Sequence, residues 1–259
     1  MVAWTPETAG RVRVYLARHG QTPLNESGVL RGLADPLLDE TGREQASKLG
    51  MVLGPRNPSL VVASPLQRAV QTAQPVADQA GLTVVRDKCL VDRDYGRWTG
   101  APKESVIAQW GSVDNAPGVE PVLVILVRAM TGLNAITSRC REGTVVAVSH
   151  DAVNRQVLAA LCPDLGDPDS IPQDNGCFNT LEWRDGIWTV LTVNEIPPPS
   201  DETAAGLSSE LFDDLGAEGR KVIGSAGDSE VADLFRKAQA DSRKGAEMGK
   251  QLLRSRLAS

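Results

Sequence analysis

Two histidines are all that the chain contains, and each closes an apolar run. His19 follows Val14-Tyr15-Leu16-Ala17 and Arg18, while His150 follows Thr144-Val145-Val146-Ala147-Val148-Ser149. A strand that ends on polar side chains carries them to the rim of a sheet, where open α/β folds place their ligands. Arg18 stands beside His19, and Arg68 comes just after a third apolar run, Ser59 to Ser64. Two arginines suit a phosphate, because guanidinium offers forked donors to oxyanions and stays charged. Two imidazoles nearby would supply a nucleophile and a second donor. A histidine that attacks phosphorus must be neutral at the attacking nitrogen, so a backbone carbonyl is expected to hold its other N–H and fix the tautomer. An acid for the leaving oxygen completes the requirement. Taken singly, a histidine at a strand end is more often a satisfied polar group and a lone arginine a solvated charge. Set together at strand ends, both histidines and both arginines could serve a phosphate.

These residues need strands that end side by side. Residues 11–17 read as a strand entering a buried sheet, and the loop after it holds Asn25, Gly28, Gly32 and Asp35-Pro36. Asp39 or Thr41 can cap the next helix, whose Ala46, Leu49, Val52 and Leu53 fall on one face before Gly54-Pro55 stops it. A strand over 59–64 leads into a helix holding Arg68, Ala69, Thr72, Ala73 and Val76, which puts Arg68 in a first turn that favours anions. Residues 82–86 read as a strand and 90–100 as a charged, glycine-rich loop; 102–110 and 120 to about 140 read as helices. After the strand that ends at Ser149, Ala152 to Leu158 begin a helix capped by a polar residue. Asp185-Gly186 between 180–184 and 187–193 is a hairpin signal. Strands alternating with helices indicate an α/β fold with a mainly parallel central sheet, to which the hairpin adds antiparallel edge strands.

Composition narrows the function. Hydrophobic residues at 41% and charged residues at 23% are ordinary globular values, and aromatics at 4% predict an aliphatic core. A net charge of −6 argues against nucleic acid as a partner. Cys89, Cys140, Cys162 and Cys177 form no C-x-x-C pair, which disfavours zinc and disulfides and fits a reducing cytoplasmic setting. No metal or other cofactor is called for. Met1 to Gly10 lacks the features of a secretory leader, and the apolar run Pro121 to Val127 is far short of the ~20 residues of a membrane span, so no membrane role is expected. The catalytic domain is read as 1–196. Pro197-Pro198-Pro199 opens a flexible linker over 197–230, and 231–259 form a weakly helical or disordered tail through Val231, Leu234, Phe235 and Ala238.

Four blocks in order carry a resemblance. Arg18-His19-Gly20-Gln21-Thr22, with Asn25, Gly32, Asp35, Leu38, Gly42-Arg43 and Gln45-Ala46 behind it, resembles the start of the histidine phosphatase (phosphoglycerate mutase-like) superfamily. Ser64-Pro65-Leu66-Gln67-Arg68-Ala69-Val70-Gln71-Thr72-Ala73, the loop Tyr95-Gly96-Arg97-Trp98-Thr99-Gly100, and Val148-Ser149-His150 extend it. The resemblance implies a three-layer α/β/α fold, with the sheet between helices, and a reaction through a phosphohistidine. His19 matches the nucleophile; Arg18, Arg68 and His150 match the phosphate pocket; Asn25 matches a supporting phosphate contact, with Gln21 and Thr22 beside it. The proton donor of most members is a glutamate three residues before the aromatic-glycine pair, and Asp92 stands there, one methylene shorter. Asp151 is the alternative acid, since a more distant branch places its donor directly after the second histidine. Arg31 stands where relatives often carry glutamine, and is read either as positive charge for a second anionic group on the substrate or as a solvated arginine.

The leading expectation is a metal-independent phosphatase that hydrolyses a small phosphomonoester through His19. A phosphoglycerate mutase is the rival within the family, disfavoured by the short stretch of about 20 residues between Gly100 and Glu120. A non-catalytic phospholigand-binding module, or a phosphoprotein phosphatase whose tail docks a protein partner, are the other readings. The exposed hairpin at 180–193 could pair with a second copy in a homodimer.

Overall fold

A computed structural model describes residues 10–198 apart from positions 26 and 141. The expected tail helix near Val231 lies outside the described residues. In chain order the elements are β1 (Arg11–Arg18), α1 (Glu40–Leu53), β2 (Leu60–Ala63), α2 (Gln67–Ala80), β3 (Val84–Arg86), α3 (Lys103–Trp110), α4 (Val122–Arg139), β4 (Gly143–Ser149), α5 (Asp151–Leu161), β5 (Phe178–Arg184) and β6 (Ile187–Glu195). The sheet runs β3-β2-β4-β1-β5-β6. The first four strands are parallel; β5 is antiparallel to β1, and β6 to β5.

Alternation along the central strands sorts their side chains between two cores. Val12, Val14 and Leu16 of β1, with Val145 and Ala147 of β4, face Ile125, Ala129 and Leu133 of α4 and Val153 and Val157 of α5. Tyr15 and Ala17, with Val146 and Val148, face Leu49 and Leu53 of α1 and Ala69, Ala73 and Val76 of α2. The result is the three-layer α/β/α sandwich, with an aliphatic core on each side of the sheet. A smaller cluster of Leu30, Val106, Val113, Ala116 and Val119 packs the 100–120 stretch over the loop after β1.

Register brings the site together. Arg18 of β1 pairs with Ser149 of β4, and Ala63 of β2 pairs with Val148, so three parallel strands end at one level. The residues that follow, His19, Ser64 and His150, therefore emerge side by side at the carboxyl edge of the sheet.

Helix ends follow local chemistry with two departures from the sequence reading. Asp39 caps α1 by accepting from the Gly42 N–H at 2.8 Å, and the helix tightens into a 3-10 turn over Gly54–Arg56. α2 carries no cap of its own; Asp35, from the preceding loop, accepts the Gln67 N–H at 2.6 Å. His150 occupies the cap position of α5, yet its side chain makes no capping bond, because the ring is turned into the site. The third strand starts at Val84 rather than Leu82, since the Leu82 N–H closes the end of α2 on the Ala77 carbonyl next to left-handed Gly81. Asp185 and Gly186 both take positive φ (53° and 83°), as the two-residue hairpin requires.

Candidate active site

His19 is 0% exposed, and neighbours engage its backbone and both ring nitrogens. Its N–H donates to the Ser149 carbonyl at 3.1 Å, and its own carbonyl accepts from the Gly176 N–H and from Asn175 Nδ2, each at 3.2 Å. Nδ1 lies 2.7 Å from the Gly20 carbonyl, which can only accept, so Nδ1 carries the proton and Nε2 the lone pair. The Gly20 carbonyl thus fills the place anticipated for a tautomer-fixing acceptor. Arg68 Nε–H points at Nε2 from 3.3 Å. Burial, reinforced by the charges of Arg68 and Arg18, holds the His19 pKa well below the usual imidazole value, so the ring is neutral at neutral pH.

Gly20 is needed because its backbone touches α1. A Cβ there would lie 2.5 Å from the Gly42 carbonyl oxygen, and one on Gly42 would lie 2.0 Å from the Gln21 carbonyl oxygen. On the other side the Gly20 N–H donates to Thr72 Oγ at 2.9 Å, tying the loop to α2.

Arg68 is 0% exposed, not the solvated charge that an isolated arginine suggests. Besides His19, its Nη1 donates to the Ala34 carbonyl at 2.6 Å, and Nη2 donates to the Gly32 carbonyl at 2.9 Å and to Asp92 Oδ2 at 2.8 Å. Asp92, 2% exposed, accepts from the Arg93 N–H through Oδ1 at 2.8 Å. Burial pushes the Asp92 pKa up despite the pull of Arg68. His150 pairs through Nε2 with Ser64 Oγ at 2.8 Å. Its Nδ1, buried with no hydrogen-bond partner, sits 3.7 Å from Asp92 Oδ2 and faces the same space. Burial, then Arg68, lowers the His150 pKa well below the usual value. The two imidazole rings lie 5.1 Å apart between centroids.

Arg18 donates through Nη1 to the Gln173 carbonyl and approaches Asp151 at 3.9 Å through Nη2; its buried Nε has no partner. Behind it the Gln173 and Asn179 amides bond to each other at 2.7 and 3.1 Å, and Asn179 Nδ2 anchors on the Leu16 carbonyl at 2.8 Å. Arg31 is not solvated either. Its Nη2 donates to both oxygens of Asp151, at 3.0 and 3.1 Å. Burial would raise the Asp151 pKa, but Arg18 and Arg31 overcome it and hold the carboxyl well below the ordinary range.

Thr22, Gln21 and Asn25 form the loop beyond His19. Asn25 Oδ1 accepts from the Thr22 N–H at 3.0 Å and from Thr22 Oγ at 2.7 Å, which leaves the amide nitrogen as the end that an anion would use. Gln21 contributes backbone: its N–H donates to Gln45 Oε1 at 2.8 Å and its carbonyl accepts from the Asp39 N–H at 3.2 Å. His19, Arg18, Arg68, Asp92, His150, Asp151 and Arg31 thus form one connected cluster, with Asn25, Gln21 and Thr22 in the adjoining loop. Sequence reasoning passed over Gln173, Asn179, Glu120 and Arg128. Only Arg128 left a trace, as a lone cation in the otherwise apolar run Val122 to Met130. Among the described residues no group of three or more His, Cys, Asp or Glu stands close enough to hold a metal ion.

Comparison with known proteins agrees with this geometry. A glucosyl-3-phosphoglycerate phosphatase of Mycolicibacterium vanbaalenii is 30% identical over 213 residues, covering 68% of this chain and 93% of that protein. Phosphoserine phosphatase 1 of Hydrogenobacter thermophilus is 28% identical over 194 residues, covering 71% and 92%. Among solved structures, a mycobacterial glucosyl-3-phosphoglycerate phosphatase in complex with VO3 superposes with a TM-score of 0.60 at 28% identity, covering 71% of this chain and 98% of that one. The profile of the histidine phosphatase superfamily (branch 1) matches residues 14–196, which take in the sheet except for the first three residues of β1, and every residue of the cluster around His19. With that match and this arrangement at the carboxyl edge of the sheet, the chain belongs to branch 1 of the histidine phosphatase superfamily.

Proposed function

We propose that the protein is a phosphomonoester hydrolase that works through a phosphohistidine on His19 Nε2. The observation that carries this reading is the Gly20 carbonyl on Nδ1–H, which leaves Nε2 as an unprotonated nucleophile facing Arg68. Three guanidinium groups, Arg18, Arg31 and Arg68, surround the site, and Asp151 cancels one of them. Two positive charges remain when Asp92 is protonated, which matches a phosphate monoester dianion without a metal.

The steps then follow. The phosphoryl oxygens take donors from Arg18, from Arg68 and from His150 Nδ1–H, with the Ser64 hydroxyl donating to His150 Nε2, and Asn25 supports them through its amide nitrogen. Nε2 of His19 forms the N–P bond as the P–O ester bond breaks, and Asp92 gives its proton to the leaving oxygen. Water then attacks phosphorus, Asp92 takes the proton from that water, the N–P bond breaks, and inorganic phosphate leaves. Relatives named as phosphatases support hydrolysis over transfer back to a substrate. The substrate is a small phosphorylated metabolite in this reading, and the four unpaired cysteines fit a cytoplasmic setting.

Rapid quenching during turnover of 32P-labelled aryl phosphate tests the covalent step. Acid-labile, base-stable label on the wild type and none on His19→Ala is the expected result; equal labelling of both would refute the assignment. Incubation with 3-phosphoglycerate and a bisphosphoglycerate primer checks the mutase alternative, for which 2-phosphoglycerate would have to form faster than free phosphate.

A further inference from the structure

Asp92 lies on a segment, 87–94, whose only regular element is a 3-10 turn over Lys88–Leu90. Arg68 and the Arg93 N–H hold its carboxyl, but something other than secondary structure must hold the backbone of the segment. Arg128, in the middle of α4, contacts that backbone. Its Nε donates to Glu120 Oε1 at 2.9 Å, and its Nη2 to Glu120 Oε2 at 3.0 Å and to the Asp92 carbonyl at 3.1 Å. Nη1 donates to the carbonyls of Cys89 at 3.0 Å and Val91 at 2.6 Å. A guanidinium has five N–H groups, and all five are engaged, three of them on the backbone of the segment that carries Asp92.

Glu120 closes the clamp from the other end. Its Oε2 accepts from the Asp94 N–H at 3.1 Å, its carbonyl accepts from Arg93 Nε at 3.0 Å, and its N–H donates to the Asp94 carbonyl at 2.7 Å. Ser149 Oγ takes the remaining carbonyl of the run, that of Leu90, at 2.9 Å. α4 comes so near that a Cβ on Gly132 would lie 2.7 Å from Cys89 Cβ. The segment is therefore drawn onto α4 and β4 along its length, while the Asp92 side chain points the other way. An aspartate reaches one methylene less far than a glutamate, so the backbone position decides whether its carboxyl meets the leaving oxygen.

We propose that Arg128, held by Glu120, is a positioning residue for the general acid: it sets the backbone of 89–94 so that Asp92 can protonate the leaving group. The inference rests on the reading of Asp92 as the acid. Arg128 itself has every N–H engaged on Glu120 and the 89–92 backbone, so its role would be exerted through Asp92.

A general acid matters most when the leaving oxygen is basic, and a merely structural residue would not sense that basicity. The test compares kcat/KM for p-nitrophenyl phosphate, phenyl phosphate and an alkyl phosphate in the full chain, for the wild type, Asp92→Asn and Arg128→Lys. Arg128→Lys keeps the charge and loses the fork. It should slow the alkyl ester by about 30- to 100-fold, up to the low end of general-acid effects as a displaced acid would, and p-nitrophenyl phosphate by no more than about threefold. The double variant should be no slower on the alkyl ester than Asp92→Asn alone. If Arg128→Lys fails to fold, Glu120→Gln, which keeps side-chain length and releases one end of the clamp, carries the same comparison. A uniform loss across the three esters, with Asp92→Asn still selective, overturns the positioning role alone. An Asp92→Asn variant with no preference among leaving groups overturns the assignment of the acid and this inference with it.

Discussion

Asp92 and Asp151 both belong to the cluster around His19, yet their neighbours drive their pKa values apart. Burial pushes the Asp92 pKa up, whereas Arg18 and Arg31 hold that of Asp151 down. A general acid must deliver a proton, and the direction of the two shifts favours Asp92 for that role in the proposed mechanism. Asp92→Asn should lower kcat/KM for an alkyl phosphate by about 10²- to 10³-fold, and Asp151→Asn by less than about tenfold, in steady-state assays. The pH profile carries a sign. Activity should fall as pH rises through the raised Asp92 pKa and fall again as pH drops through the lowered His19 pKa, giving a bell. Asp92→Asn should lose the alkaline limb and keep the acidic one. The Asp151 carboxylate raises both His19 and Asp92, so Asp151→Asn should move both limbs to lower pH; a profile unmoved in that variant would contradict the coupling. The Arg31–Asp151 pair was invisible in the sequence because its members stand 120 positions apart and neither has periodic company.

At the level of elements, the loop behind His19 is fixed by contact between backbones. Gly42, in the first turn of α1, admits the Gln21 carbonyl where any side chain would collide. Gly42→Ala should cost about 1–3 kcal/mol in urea denaturation, as overpacking does, and should abolish phosphoenzyme trapping by displacing His19. Gly81→Ala, at a helix end with open space around it, should carry only its backbone strain of about 1 kcal/mol and leave trapping intact. Equal trapping in the two variants would mean that the loop does not depend on α1. The strands and main helices were legible because apolar runs and helical spacing are local signals. Gly20 was quoted in the sequence only as part of a motif; its reason is a contact with a helix 22 positions on. Arg128 and Glu120 escaped detection for a related reason: hydrogen bonds from a helix to the carbonyls of an irregular segment have no sequence period.

Across the whole molecule, a chain of net charge −6 concentrates three arginines around one pocket, so the local field opposes the global one. Every site residue falls within the 14–196 match. A variant ending at 198 should therefore hydrolyse p-nitrophenyl phosphate with kcat within about twofold of the full chain, consistent with substitutions away from a site being near neutral. A large loss would place part of the catalytic machinery in 199–259. The sheet order β3-β2-β4-β1-β5-β6 has one further consequence, for biosynthesis. β1 is made first, but its partners come far later: Val12 pairs with Gly143 on one side and with Trp183 on the other. A nascent chain carries β1 with both edges bare until the ribosome has passed the middle of the sequence, and such long-range pairing is slow. A partial translation product that lacks β4 also lacks His150 and with it part of the proposed phosphate site, so phosphate binding by ribosome-bound chains would mark the closing of β1 against its neighbours.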